Sequence, residues 1–403
     1  MTRRSPLRFF LLTYAVLTVA GTALMWLPGI TVDASLSLFE ATFTAVSALC
    51  LVGLTVMDTV VRFTLFGQAA ILLLMQLGML SYLFFAVQTA RAMRGAPSSP
   101  RSVLKRVLAV TLLIEGGAAG LIYYSGGGSL TEAYPPLFVS LFHAVSAFGN
   151  AGFSVLSDNL HSVPRAFVLH LAIMMTFVLG GLGIDTLYDL GARQRLRQRM
   201  ADPSIDWRPS TKVSVHVSML LLAIGAGAFY WLERDNSLGS LNLTEQLIGS
   251  LFHSATVRTA GFHTVDITTI TTATMLVMTA LMMIGGGVGS TAGGIKTATL
   301  YQVLFSTGKE EAARRAALQV VGYALLVNII GTWILWLIED ERPLAALWFE
   351  QVSAFSSVGL SMIGTSTLSV AGQSVLLLSA LLGRVGVLSV MMLHSFRGEA
   401  PGR

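Results

Sequence analysis

The chain has 403 residues, is 54% hydrophobic and 12% charged, and has a mean hydropathy of +0.70. A soluble domain carries about 25% charged residues, so a chain this long with half that share lacks the polar surface to face water, and a soluble globular protein is excluded. Cys50 is the single cysteine, which excludes an internal disulfide and a cysteine-built metal site, and the net charge of +5 reads as positive-inside loops rather than a nucleic-acid surface.

The first apolar run, Phe9–Leu27, follows a basic Met1–Arg8. It has the length of a spanning helix and no small-residue cleavage site after it, so it reads as the first span and not as a signal peptide. A span needs roughly 20 apolar residues, and eight segments qualify: 9–28, 64–90, 103–124, 164–190, 212–232, 272–300, 315–338 and 370–393. Between alternate pairs lie 36–48, 136–148, 244–257 and 344–355, too short to cross and flanked by polar residues. These read as re-entrant half-helices. The expected fold is all-α and membrane-embedded: four helix–pore loop–helix repeats in pseudo-fourfold arrangement around one pore, with boundaries at 1–100, 101–210, 211–313 and 314–403.

Charge orients this layout. Arg3, Arg4, Arg8, Arg91, Arg94, Arg101, Lys105, Arg106, Arg193, Arg195, Arg197, Arg199, Arg208, Lys212, Lys309, Arg314, Arg315, Arg397 and Arg403 fall on one side, which should be cytoplasmic with both termini there. The other side holds Arg62, Arg165, Arg234, Arg258 and Arg342. It also carries the carboxylates Asp33, Glu40, Asp58, Glu132, Asp158, Glu233, Asp235, Glu245, Asp266, Glu339, Asp340, Glu341 and Glu350, a mouth that would attract cations.

The short segments repeat. Ser47-Ala48-Leu49-Cys50-Leu51-Val52-Gly53 parallels Ser146-Ala147-Phe148-Gly149-Asn150-Ala151-Gly152 and Ser353-Ala354-Phe355-Ser356-Ser357-Val358-Gly359. The third copy is looser and is aligned from Ser254 through Arg258-Thr259-Ala260 to Gly261. A half-helix that stops at mid-membrane aims its carbonyl end inward. The extended backbone after it is tolerated only where it lines a wet cavity. Four such segments make a ring of carbonyl oxygens able to replace the hydration shell of a monovalent cation. Glycine at 53, 152, 261 and 359 permits the turn. The ring side chains Val52, Ala151, Ala260 and Val358 are small or apolar, so backbone carbonyls alone coordinate the ion, which argues against Ca²⁺ or Mg²⁺.

These stretches resemble the Trk/Ktr/HKT superfamily of K⁺ transporters. Residues 146–154 resemble its second pore loop, 258–262 its third and 353–361 its fourth. The most specific likeness is Gly289-Ser290-Thr291-Ala292-Gly293-Gly294-Ile295-Lys296-Thr297. In that family it belongs to an intramembrane loop that interrupts the second helix of the third repeat and gates the pore. Gly383-Arg384-Val385-Gly386 resembles the helix that places an arginine near the gate. Eight spans without an extra N-terminal pair make the chain more like the KtrB-type pore subunit than the TrkH type. The resemblance implies a filter of residues 50–53, 149–152, 258–261 and 356–359. It implies a gate of Gly285, Gly286, Gly287, Gly289, Ser290, Thr291, Gly293, Gly294, Lys296 and Arg384. It further implies K⁺ as the transported ion with no organic cofactor, a homodimer in a prokaryotic plasma membrane, and a cytosolic nucleotide-binding regulatory ring docking near 191–211 and the C-terminus. One glycine per loop is the family's pattern for K⁺ preference. Cys50-Leu51-Val52 departs from it where threonines are usual, and Gln76-Leu77-Gly78 lacks the extra glycine that Gly180-Gly181 keeps.

Other residues invite other readings. Ile295 stands where a Walker A motif needs glycine before lysine, so Lys296 is read as a gate lysine and not a nucleotide ligand. An intramembrane cation marks a pathway, which favours a pore role for Arg384 over snorkelling. Arg258 is expected to pair with an outer carboxylate and brace its loop. Glu115 is either a relay, which would suit a coupled K⁺/Na⁺ or K⁺/H⁺ symporter, or a helix–helix hydrogen bond. Asp185 and Asp189 are read as interfacial, and the Gly181–Asp185 stretch as no aspartyl protease, since a second catalytic carboxylate is missing. His143 and His253 are read as packing or hydrogen-bonding at the back of the filter.

Overall fold

The computed structural model describes residues 5–33, 36–93, 99–126, 134–161, 163, 166–191, 198 and 206–390. Arg3, Arg4, Arg94, Glu132, Arg165, Arg193, Arg195, Arg197, Arg199, Arg397 and Arg403 lie outside them, as do the C-terminus and most of the 191–211 loop expected to dock a regulator. The described residues are helical, joined by loops with two isolated β-bridges.

The elements in chain order are α1 (Ser5–Met25), α2 (Leu38–Leu49), α3 (Thr59–Arg62), α4 (Leu65–Met93), α5 (Pro100–Tyr124), α6 (Pro136–Gly149), α7 (Phe167–Leu182) and α8 (Ile184–Gly191). They continue with α9 (Pro209–Glu233), α10 (Leu243–Thr256), α11 (Thr272–Met282), α12 (Thr297–Phe305), α13 (Glu311–Ile338), α14 (Leu344–Ser356) and α15 (Val370–Leu381). Six helices, among them α4, α9 and α13, are long and apolar enough to cross a membrane, and the bent pair α7–α8 brings the number to as many as seven. Their outer faces expose Leu112, Leu113, Leu121, Trp231, Trp333 and Leu337. So wide a surface of large apolar side chains suits lipid and not water.

The starts of the short helices are written in the sequence. Ser37 with Glu40, and Asn242 with Glu245, form reciprocal capping boxes that open α2 and α10. Pro136 occupies the first turn of α6 and Pro343 caps α14, where a missing N–H does no harm. α2 packs against α1 and α4, α6 against α5 and α7, α10 against α9 and α7, and α14 against α13 and α15.

Two expected spans are not continuous. The 164–190 segment bends by 106° at Gly183. Gly183 adopts φ +97°, and a Cβ there would lie 2.6 Å from the Val288 carbonyl oxygen, so only glycine makes this elbow. Asp185 and Asp189 therefore sit on α8 beyond the bend. Arg91 pairs with Asp185 at 2.6 Å, Arg106 reaches the same oxygen at 3.6 Å, and Arg208 lies 3.9 Å from Asp189. The 272–300 segment breaks between Met282 and Thr297, as the interrupted helix of the resemblance implies. The last span carries a π-helical turn at Leu382–Gly386. The Tyr323 hydroxyl donates to the Leu382 carbonyl there at 3.0 Å, satisfying an acceptor in the disturbed turn.

Candidate ion pathway

Each short helix ends in the same device. Leu51, Asn150, Thr259 and Ser357 take positive φ of 54°, 53°, 82° and 55°. Two residues on, Gly53, Gly152, Gly261 and Gly359 take φ of 82°, 69°, 78° and 88°. A left-handed non-glycine residue costs roughly 1–2 kcal/mol, so four in register signal a shape held by its surroundings. Hydroxyls do much of the holding. Ser47 donates to the Leu54 carbonyl at 2.7 Å, Ser146 to Phe153 at 2.7 Å, Thr256 to Phe262 at 2.7 Å and Ser353 to Leu360 at 2.6 Å. Thr256 is thus the third-copy counterpart of Ser47. Ser254, from which the sequence alignment started, instead donates to the Leu222 carbonyl on α9. The backbone amides of Val52, Ala151, Ala260 and Val358 donate to Ser47, Ser146, Thr256 and Ser353.

The four loops touch in a closed cycle. A Cβ built on Gly53 would lie 2.3 Å from the Ala151 carbonyl oxygen, and one on Gly152 3.0 Å from Ala260. On Gly261 it would lie 2.3 Å from Val358, and on Gly359 2.2 Å from Val52, which returns to the first loop. The glycines line a cavity of about 370 Å³ that also takes in Asp58 and Asp158.

Each short helix has a polar side chain three residues before its loop-bracing hydroxyl: Thr44, His143, His253 and Glu350, all buried. His143 Nε2 lies 3.0 Å from the Ser154 hydroxyl. The Thr264 amide approaches His253 Nε2 at 3.5 Å, and Glu350 accepts from the Ser361 hydroxyl and the Met362 and Ile363 amides at 2.7–3.0 Å. His143, His253 and Glu350 brace the chain leaving the loops. The expected acidic mouth is correspondingly thinner: Glu40 and Glu245 serve as caps, Glu350 is buried, and Glu233 accepts the Thr271 amide at 2.8 Å.

Residues 283–296 form a loop pressed against the short-helix ends. The Gly285 amide donates to Ile295 and the Gly287 amide to Gly181 at 2.7 Å, while the Gly289 carbonyl accepts from Ile184 at 3.0 Å. Ser290 donates its amide to Gly287, and the Gly286 carbonyl accepts from Thr297. The Thr291 hydroxyl donates to the Phe148 carbonyl at 2.9 Å and lies 3.2 Å from the Asn150 side chain. The Gly293 amide meets the Thr259 hydroxyl at 3.3 Å, and a Cβ on Gly293 would lie 2.0 Å from the Ser356 carbonyl oxygen. Gly294 turns with φ +59°. Lys296 bonds the Ala292 carbonyl and Arg384 the Thr291 carbonyl, and both cations are buried. Arg384 is 1% exposed, which rules out snorkelling.

Among the described residues Arg258 reaches no outer carboxylate. It donates to the Gly285 carbonyl at 2.8 Å and to both the carbonyl and hydroxyl of Ser218 at 3.2 Å, tying its own loop to the 283–296 loop. Glu115 accepts from Gln76 at 3.1 Å, the helix–helix bond of the two readings. Cys50 is the buried cap of α2. Sequence reasoning names Gly78, Gly180 and Gly383 but misses their place beneath the short-helix ends. A Cβ on Gly78 would lie 2.1 Å from the Leu49 carbonyl oxygen, on Gly180 2.2 Å from Phe148, and on Gly383 1.7 Å from Phe355. The small residue in an otherwise apolar span is the signal.

Many apolar crossings enclosing loops of bare backbone define a polytopic membrane transport protein. The chain belongs to the TrkH family of cation transport proteins, whose profile matches residues 104–321. It is 32% identical to the Ktr system potassium uptake protein B of Bacillus subtilis over 96% of this chain and 92% of that one. It is 30% identical to the potassium/sodium uptake protein NtpJ of Enterococcus hirae, over 99% and 95%. The crystal structure of the potassium transporter TrkH from Vibrio parahaemolyticus superposes with a TM-score of 0.80 at 16% identity, covering 98% of this chain and 85% of that chain, so the fold is shared. As its relatives are cation transporters, the chain is a transporter and not an enzyme.

Proposed function

We propose that the chain is the pore-forming subunit of a Ktr/Trk-type potassium uptake system. In this reading eight spans form four repeats, 1–100, 101–210, 211–313 and 314–403, in pseudo-fourfold arrangement around one pore. The carbonyls of the 50–53, 149–152, 258–261 and 356–359 loops form the K⁺ filter, and the 283–296 loop with Arg384 forms the gate beneath it. The observation that carries the proposal is the closed cycle of glycine-to-carbonyl contacts, because a ring of backbone oxygens with no carboxylate among them suits a weakly hydrated monovalent cation. The names of the relatives point to potassium, and that of the B. subtilis protein to a system of several components. A homodimer in a prokaryotic plasma membrane, both termini cytoplasmic, with a cytosolic nucleotide-binding regulatory subunit, completes the reading.

The test is uptake of radioactive Rb⁺ into liposomes holding the purified protein, driven by a K⁺ gradient, with Gly261→Ser alongside. Uptake blocked better by K⁺ than by Na⁺, with that preference weakened in the variant, is expected. No uptake by inserted protein, even after deletion of the 285–294 loop, would sink the pore.

A further inference from the structure

Arg384 and Lys296 are two cations buried close together with no carboxylate within 4.0 Å among the described residues. The Nε and Nη2 atoms of Arg384 have no hydrogen-bond partner. Two like charges in such a setting repel, and a buried charge needs compensation to stay charged. Lys296 bonds the Ala292 carbonyl and Arg384 the Thr291 carbonyl, and the side chain that faces both cations is Tyr82, on α4 one turn beyond Gly78. Its ring is 2% exposed, its centroid lies 3.8 Å from the Arg384 guanidinium carbon, and Lys296 Nζ lies 5.6 Å from the same centroid. The negative face of an aromatic ring attracts cations within about 6 Å, most strongly where water is excluded.

We propose that Tyr82 is the positioning residue of the intramembrane closure, its ring face seating Arg384 and Lys296 and so holding the loop of residues 283–296 shut. Arg384 in turn holds the Thr291 carbonyl, and Thr291 holds the Phe148 carbonyl. The closure therefore draws one group from each quarter of the chain: Tyr82, Phe148, the Thr291–Lys296 loop and Arg384. Loss of the ring face frees both cations to move with the loop, and the basal rate of ion passage rises. The proposal rests on the reading of the 283–296 loop as a gate.

The test is basal Rb⁺ uptake by the full chain in liposomes. Tyr82→Leu keeps bulk and loses the ring face, and is expected to raise uptake roughly tenfold or more. Tyr82→Phe keeps the face and raises it less. Phenylalanines carrying one, two and three fluorines at position 82 weaken the face stepwise at nearly constant shape, and uptake should climb with fluorine number. On an Arg384→Gln background, where only Lys296 at 5.6 Å still faces the ring, Tyr82→Leu should add less than it does alone. A flat fluorine series, or a Leu effect that adds in full on that background, means that Tyr82 only fills the apolar cluster it shares with Phe10 and Phe85, and overturns the proposal. The 285–294 deletion separates the two failures: if the deletion conducts while the Tyr82 series is flat, the gate stands and Tyr82's role falls; if the deletion is silent as well, both fall.

Discussion

Alanine at Gly359 would put a methyl group 2.2 Å from the Val52 carbonyl oxygen while the backbone holds φ +88°. The backbone term alone costs roughly 1–2 kcal/mol, and a carbonyl that must retreat by about an ångström leaves the ring it helps to form. Gly53 and Gly261 face the same obstruction at 2.3 Å. Gly152 is less obstructed: its Cβ would lie 3.0 Å from both the Ala260 oxygen and the Gly261 Cα, a tight contact, and φ +69° is closer to the left-handed well than the other three. Gly152→Ala should therefore be the least damaging of the four, while the other three should shift the K⁺-over-Na⁺ preference by roughly tenfold, about 1.4 kcal/mol. Competition of K⁺ and Na⁺ against Rb⁺ uptake in the four variants measures this. Equal effects in all four, or Gly152→Ala as the most damaging, would refute the claim that close glycine-to-carbonyl packing shapes the pathway.

Thr256→Val removes a buried hydroxyl that holds the Phe262 carbonyl, at a cost of about 1–3 kcal/mol, and should blunt selectivity in the same competition assay, whereas Thr256→Ser should keep it. Ser254→Ala, which loses a hydroxyl bonded to the Leu222 carbonyl on α9 and not to a loop carbonyl, should leave selectivity intact. Arg258→Gln cuts the tie to Gly285 and should raise basal uptake, since the 283–296 loop loses an anchor. Gly383→Ala forces a methyl group within 1.7 Å of the Phe355 carbonyl oxygen and should abolish correctly folded protein in detergent extraction. Gly117→Ala meets nothing within 4 Å and should leave the melting temperature unchanged or slightly higher.

The repeating loops were legible because Ser-Ala and Gly recur at matching places, and bare backbone at membrane depth has few uses. The register of the third copy was not, because Thr256 stands six residues before Phe262 where Ser47 stands seven before Leu54. Hydropathy could not show the bend at Gly183 or the break after Met282, since the broken stretches remain apolar and glycine-rich. Counting carboxylates overstated the outer mouth, because a capping Glu40 and a mouth-lining Asp158 look alike in a charge tally. Tyr82 left no trace at all. Its partners Lys296 and Arg384 are far along the chain, and one tyrosine in an apolar span reads as packing.

The loop cycle also bears on how the protein is made. Gly53, Gly152 and Gly261 each lean on a loop synthesised after them, but Gly359 leans on Val52, at the other end of the chain. Until the last helices enter the bilayer, the first three loops form an open arc whose outer carbonyls face no partner. Closure couples the earliest and latest segments, a long-range contact of the kind that folds slowly and late. On the proposed reading of this ring as a filter, a nascent chain in the membrane has no complete ring of oxygens to strip an ion of its water until synthesis is finished.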